Sequence, residues 1–330
     1  MRVRGWLLVV LCVVATPAQA GFDSTQLRNA LTALTAHPGS GRLGVAVRDL
    51  EDGSTVLIDA KRPFPMQSVY KLPIAIALLD RVDRGRIALS KTVHLTQAQR
   101  APGRSPLAKQ IGPEGLDRTI EQLLELMMIE SDNTACDVLL DEVGGPAAVQ
   151  AVLLLKSLYG VRVDRPEKQL QSDWQGLGHW RAALYEDRVR EAAIEALPPQ
   201  RRQIAIDAYL RDPRDTTTPQ GMMDMLARLA AGELLSADST TRLLHLMTVS
   251  VTGLNKIKAG LPQDWALAHK SGASGEAFGL APAENDVGIA TAPDGRRIVI
   301  VALLSASRLN SEARDKMLAD VARATIAALR

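Results

Sequence analysis

Ser68-Val69-Tyr70-Lys71 sets a hydroxyl and an amine three residues apart. At the start of a helix, residues with that spacing share one face, a turn from each other. The hydroxyl then lies near the positive end of the helix dipole, which favours a developing oxyanion. A lysine short of hydration there can serve as a neutral amine base or relay protons for the serine. The pair alone is weak, because a capping serine followed by a solvated lysine gives the same letters. Arg62 to Gln67 cannot continue a regular element, whereas Leu72 to Leu79 is an apolar run suited to a buried helix. Pro73 removes one N–H in the second turn, so a local adjustment is expected there, not the end of the helix.

Three further groups could give Ser68 chemical company. Ser131-Asp132-Asn133 interrupts two helical runs, where polar side chains can face a cleft. Its serine could pass a proton to a leaving nitrogen and its asparagine could bond a substrate amide, although an N-cap for the next helix needs the same residue types. Lys270-Ser271-Gly272 ends a strand-like run. It offers a positive charge, a hydroxyl for a carboxylate, and a glycine that lets backbone approach a ligand closely. Glu167 stands in a polar stretch and, taken alone, reads as a solvated loop residue.

Ser-x-x-Lys, Ser-Asp-Asn and Lys-Ser-Gly in that order make a known serine-acyl-transfer signature. With them the mature chain resembles the class A serine β-lactamases over nearly its whole length. Thr252-Gly253, His269-Lys270-Ser271-Gly272, Asn285-Asp286-Val287-Gly288 and Asp212-Pro213-Arg214-Asp215-Thr216-Thr217-Thr218-Pro219 also match. Glu167 follows Ser131 at the spacing of the family's Ω-loop glutamate. The resemblance implies Ser68 as the acylated nucleophile. It implies general-base work shared by Lys71 and Glu167, with the glutamate driving deacylation through a water. Ser131 would relay a proton to the β-lactam nitrogen and Asn133 would hold the acylamino side chain. Lys270 and Ser271 would bind the substrate carboxylate, with Gly272 beside them. The N–H groups of Ser68 and Ala273 would form the oxyanion hole. No metal or organic cofactor is implied.

The chain departs from the family pattern in several places. Asp137 stands where an asparagine is usual, and an ionised aspartate only accepts. Lys168 replaces the usual proline after the glutamate, so a trans bond is expected between Glu167 and Lys168. Gln171 replaces the asparagine that helps hold the deacylating water. Cys136-Asp137 and Gln171-Ser172-Asp173-Trp174 resemble the PER-type extended-spectrum branch, which implies good cephalosporin turnover. An arginine that often supports the substrate carboxylate is missing, and Lys256 is the candidate substitute. Arg104 stands near the rim position often held by an aromatic.

Arg165 and Asp215 are expected to close the Ω-loop neck by a salt bridge. The segment between them far exceeds a compact Ω-loop of up to about 16 residues. The surplus holds two helical stretches, Asp187 to Leu197 and Gln200 to Leu210, split by Pro198-Pro199. Val189, Ala192, Ala193, Leu197, Ile204 and Ala208 suggest a hairpin with one buried face. It reads either as a lid over the cleft or as a surface decoration on the helical part.

These motifs need elements to hold them. The 330 residues are 46% hydrophobic and 23% charged, enough for a sizeable core. A net charge of +2, with dispersed basic residues and 3% aromatics, argues against a nucleic-acid surface. Arg2 and Arg4, an apolar run from Trp6 to Ala15, and Ala18-Gln19-Ala20 read as a signal peptide over residues 1–20. The run is too short to span a membrane. The mature protein is expected in the periplasm or secreted, free of the membrane and monomeric. Cys136 is then its one cysteine and reads as a core residue.

A helix is expected over Asp23 to Ala36, stopped by His37-Pro38-Gly39. A hairpin over Arg42 to Leu50 and Ser54 to Ala60, the Ser68 helix, and an irregular 86–118 follow. Helices are expected over Thr119 to Met128, Thr134 to Val143, Ala147 to Tyr159, Gln220 to Gly232 and Ser239 to Val249. Strands over Trp265 to Lys270, Asn285 to Ala292 and Arg297 to Ser305 precede a helix over Asn310 to Leu329. This order excludes βαβ alternation. The fold class is mixed α/β (α+β): one antiparallel sheet made from both chain ends and flanked by terminal helices, plus an all-helical subdomain. Residues 21–64 and 221–330 form the α/β part, and 65–220 the helical part with the enlarged Ω-loop region 165–215.

The five histidines show no ligand spacing, which argues against a zinc enzyme. The absence of Gly-x-Ser-x-Gly argues against an α/β-hydrolase. A D-alanyl-D-alanine peptidase would share the serine motifs without needing Glu167. A β-lactam sensor would acylate and stay acylated.

Overall fold

A computed structural model describes residues 21–36 and 39–330. The signal-peptide reading and the His37-Pro38 stop lie outside the described residues.

The β-strands are β1 (Arg42–Asp49), β2 (Thr55–Ile58), β3 (Phe64–Pro65), β4 (Thr92–Leu95), β5 (Leu116–Thr119), β6 (Thr216–Thr217), β7 (Ala266–Ala273), β8 (Ala281–Thr291) and β9 (Arg297–Ser307). Five of them form one antiparallel sheet in the order β2-β1-β9-β8-β7, so the two chain ends meet at the β1–β9 pair. Helices α1 (Ser24–Leu34), α2 (Lys71–Asp83), α3 (Ile120–Ile129), α4 (Asn133–Val143), α5 (Pro146–Leu155) and α6 (Glu167–Trp174) occupy the first half and the middle. Then come α7 (Asp187–Glu195), α8 (Pro199–Tyr209), α9 (Pro219–Ala230), α10 (Ala237–Thr248), α11 (Ile257–Gly260) and α12 (Ser311–Ala327).

The alternation of each strand sends its apolar residues to two cores. On one face Val45, Val47, Ile298 and Ile300 pack with Leu27 and Leu31 of α1 and Leu318 and Val321 of α12. On the other face Ala46, Val299, Val301 and Leu303 join Met222 and Leu226 of α9 and the buried sides of α2, α3 and α4. The second core includes nearly the whole of α2, from Leu72 to Leu79, which explains that unbroken apolar run.

Several local expectations change. Ser68 lies in a single 3-10 turn, Gln67–Tyr70, and the α-helix begins only at Lys71. Pro73 therefore falls in the first turn of α2, where its missing N–H is tolerated. Residues 86–118 are not wholly irregular, because β4 and β5 pair antiparallel. Helix α5 stops at Leu155, and Leu155 and Tyr159 are exposed. In the insertion Val189 and Ile204 are exposed and α7 buries no residue fully. Ile206 and Tyr209 instead form the buried edge of α8, which shifts its inward face from the one expected through Ile204 and Ala208.

Candidate active site

The turn carrying Ser68 is fixed from three sides. Gly272 of β7 lies so close that a methyl group on it would sit 2.6 Å from Met66 O and 2.9 Å from Ser68 N. The side chain of Asn285 on β8 donates to Pro65 O and Met66 O at 2.8 and 3.0 Å. Gln67 holds a left-handed backbone at φ 47° and donates to the Tyr209 hydroxyl at 2.5 Å. This places the Ser68 turn against the end of β7, at Gly272.

Lys71 is wholly buried, and four oxygens meet its ammonium. They are Ser68 Oγ at 2.8 Å, Asn133 Oδ1 at 2.7 Å, Glu167 Oε1 at 2.7 Å and Ser131 Oγ at 3.4 Å. The Lys71–Glu167 pair lies out of solvent, so its charges are weakly screened. Lys270, also wholly buried, donates to Ser131 Oγ at 2.9 Å and to Ser271 O at 2.9 Å. Burial, then the nearby charge of Lys71, holds the Lys270 amine well below the ordinary lysine range. Ser131 thus joins the two lysines.

Within Ser131-Asp132-Asn133 the capping and site roles fall to different residues. Asp132 is the N-cap of α4, accepting from Ala135 N at 2.8 Å, and it also takes Ser105 Oγ and Leu107 N. Ser131, at φ 60°, is thereby turned toward the lysines. Asn133 uses Oδ1 on Lys71 and donates Nδ2 to Pro102 O at 2.7 Å. A second N–H and a second lone pair stay available on its amide.

Glu167 is the first residue of α6, so Gln171 lies one turn on, at helical contact distance. Gln171 Nε2 donates to Glu167 Oε2 at 3.0 Å and to Gln67 Oε1 at 3.3 Å, while its own Oε1 accepts from the Trp174 indole at 2.8 Å. Beneath α6, Asp137 accepts from Glu167 N at 2.6 Å and Lys168 N at 3.2 Å. Two N–H donors are all this position needs, which accounts for an acceptor-only aspartate where an amide is usual. Burial, and next the charge of Glu167, nevertheless push its carboxyl up to about 7. There is no cis peptide bond among the described residues, so the Glu167–Lys168 bond is trans. Arg165 closes the loop neck on Asp215 at 2.6 Å and also reaches Asp173 and Asp212.

The carboxylate side corrects one expectation. Lys256 is buried, with its ammonium on Glu284 and 4.0 Å from Asp315, so it is not presented to a ligand beside Ser271. The Ser271 hydroxyl instead pairs with Thr252 Oγ1 at 3.0 Å. Arg104 is exposed at the rim and donates to Glu130 O, with no aromatic in its place. Gln67 and Tyr209 carry no motif and give no signal in the sequence. Asn285, Thr252 and Trp174 lie inside the matching segments but have no role assigned there.

A partly exposed hydroxyl on a buried lysine–carboxylate pair, beside a second lysine and a strand edge, suits acyl transfer through a serine ester. The model of the β-lactamase enzyme family matches residues 26–329. The chain belongs to the β-lactamase enzyme family. It is 31% identical to β-lactamase VEB-1 of Pseudomonas aeruginosa over 98% of this chain and 97% of that one. Extended-spectrum β-lactamase PER-1 of the same organism is 29% identical over 85% of this chain and 80% of the relative. The ancestral class A β-lactamase of Gram-negative bacteria superposes with a TM-score of 0.71 at 31% identity, covering 92% of this chain and 99% of that one. Within this family the chain is a class A serine β-lactamase, similar to the extended-spectrum members.

Proposed function

We propose that this β-lactamase opens the β-lactam amide through a Ser68 ester, which a Glu167-activated water then hydrolyses. The carrying observation is the contact chain from the partly exposed Ser68 to the fully buried Lys71 and Glu167, with 2.8 and 2.7 Å links. Ser68 Oγ attacks the carbonyl carbon and its proton passes to the Lys71–Glu167 pair. The developing oxyanion faces the N–H groups of Ser68 and Ala273. Ser131, in contact with both lysines, gives a proton to the departing ring nitrogen. Lys270, Ser271 and Thr252 line the place of the substrate carboxylate, and Asn133 faces the acylamino group. In the second half Glu167 takes a proton from water as it attacks the ester carbonyl, and Gln171 holds the glutamate in position.

A D-alanyl-D-alanine peptidase shares the serine and lysines but has no need of a carboxylate buried against Lys71. The reading also takes 65–220 as a helical subdomain, with the cleft at its junction with the α/β part. The protein is taken as exported by residues 1–20, to the periplasm or beyond, and monomeric. Among the described residues no single helix is long and apolar enough to cross a membrane. The test is turnover of a chromogenic cephalosporin and of a D-alanyl-D-alanine peptide by the mature protein and Ser68→Ala. Rapid cephalosporin hydrolysis that vanishes in Ser68→Ala is expected, with little peptide cleavage. Faster peptide cleavage, or a wild type that stalls after one equivalent, would sink the reading.

A further inference from the structure

Helix α8 turns different faces to its surroundings. Tyr209 packs against Leu170 and Trp174 of α6. Arg201, Ile204, Ala205 and Ala208 recur at helical intervals on another face, and Ile204 is 67% exposed there. That face lines a cavity of about 660 Å³, shared with Gln169 and Asp173 of α6 and with the loop neck at Arg165. Gly176 lets the two sides approach: it sits at φ 80°, and a methyl group on it would lie 3.2 Å from Ala205 Cβ. Glu167 and Gln171 share one face of α6. Gln169 and Asp173, two residues further on, are turned by about 200°, so the cavity lies behind the helix that carries Glu167.

The lining has a specific chemistry. Asp173 and Asp212 are already taken by Arg165 and Arg214. The Arg201 guanidinium has no hydrogen bond or ion pair among the described residues, and Arg165 keeps Nη2 buried without a partner. Three arginines thus stand against two aspartates, beside an exposed apolar stripe. The volume falls in the ~300–1,000 Å³ range of small-ligand sites. The cavity also reaches the chemistry from behind. Tyr209 lines it and accepts from Gln67 Nε2 beside Ser68. Gln67 in turn accepts from Gln171, which holds Glu167.

We propose that this cavity is an effector site for a small organic carboxylate, held by Arg201, whose occupancy speeds turnover. The carboxylate meets Arg201 and the apolar body of the ligand lies on Ile204 and Ala208. The ligand clamps the helix that bears Tyr209 to the helix that bears Glu167, which steadies Gln67 and Gln171 in the site. Binding stands apart from the lactamase reading above; the effect on turnover rests on it.

Benzoate is the probe, with benzamide as its neutral match and inorganic phosphate as an anion without an apolar body. Calorimetry and thermal melting are run on the mature wild type, Arg201→Gln and Arg188→Gln, the last an exposed arginine of α7 outside the cavity. Cephalosporin hydrolysis is followed with and without benzoate. The wild type should bind benzoate at one site and melt higher with it. Its kcat should rise about twofold or more, with KM unchanged. Arg201→Gln should bind benzoate roughly tenfold more weakly, as expected for one charge-assisted hydrogen bond, and lose the kcat response while keeping the basal kcat. Arg188→Gln should behave as the wild type. No benzoate binding, binding that survives Arg201→Gln, or an effect confined to a higher KM, as from benzoate in the cleft, would overturn the site. Benzamide or phosphate binding as tightly as benzoate would overturn the ligand class. Bound benzoate that leaves kcat unchanged or lowers it would overturn the effector role. A wild type that binds benzoate through Arg201 but hydrolyses no cephalosporin would instead overturn the lactamase reading and leave the binding site standing.

Discussion

Asp137 is wholly buried beneath Glu167, and its folded carboxyl, at about 7, lies above its ordinary value of 3.8. The folded state then binds more protons than the unfolded one between these values, so this group makes stability fall as pH rises from about 4 to 7. Asp137→Asn should flatten that part of a melting-temperature profile. Its amide would also turn a donor toward Lys168 N–H or Glu167 N–H, lowering stability by about 1–3 kcal/mol. A profile as steep in the mutant as in the wild type would place the titration elsewhere. Tyr209→Phe removes the partner of Gln67 Nε2 and should slow turnover several-fold with folding intact, read from kcat beside circular dichroism. Ser68, Lys71, Ser131 and Lys270 are legible in the sequence because each sits in a short ordered motif, and Glu167 only through its spacing from Ser131. Gln67 and Tyr209 are not, because a contact between distant residues leaves no local pattern.

At the scale of elements, β7 sets the position of the nucleophile turn. Gly272→Ala would drive a methyl group into Met66 O and Ser68 N, both backbone atoms that cannot swing aside. Such a displacement should lower kcat by roughly 10²-fold, the effect of a misplaced reacting group, with little loss of secondary structure. Normal kcat would show that the turn can yield. The α2 run and the strand alternation are readable from apolar spacing alone. The insertion is readable as two helices, but not its inward face. Ile204 and Ile206 both fit a helical stripe, and only the neighbouring α6 decides that Ile206 and Tyr209 turn in. The Lys256 expectation fails for a similar reason: Glu284 and Asp315, on distant elements, capture its ammonium.

For the molecule as a whole, the sheet joins the two chain ends and the helical core rests on its inner face. Leu27 and Leu318 from the terminal helices are fully buried on the outer face. Leu318→Ala should cost about 2–5 kcal/mol in denaturant unfolding while kcat at low temperature stays near the wild type, since none of the residues of that core is a site residue. The most direct measurement is intact mass during cephalosporin turnover by wild type and Glu167→Ala. The wild type should turn over with little adduct. The mutant should gain one acyl group on Ser68 and release it roughly 10²–10⁴-fold more slowly. Fast release by Glu167→Ala, or a persistent adduct on the wild type, would contradict Glu167-driven deacylation.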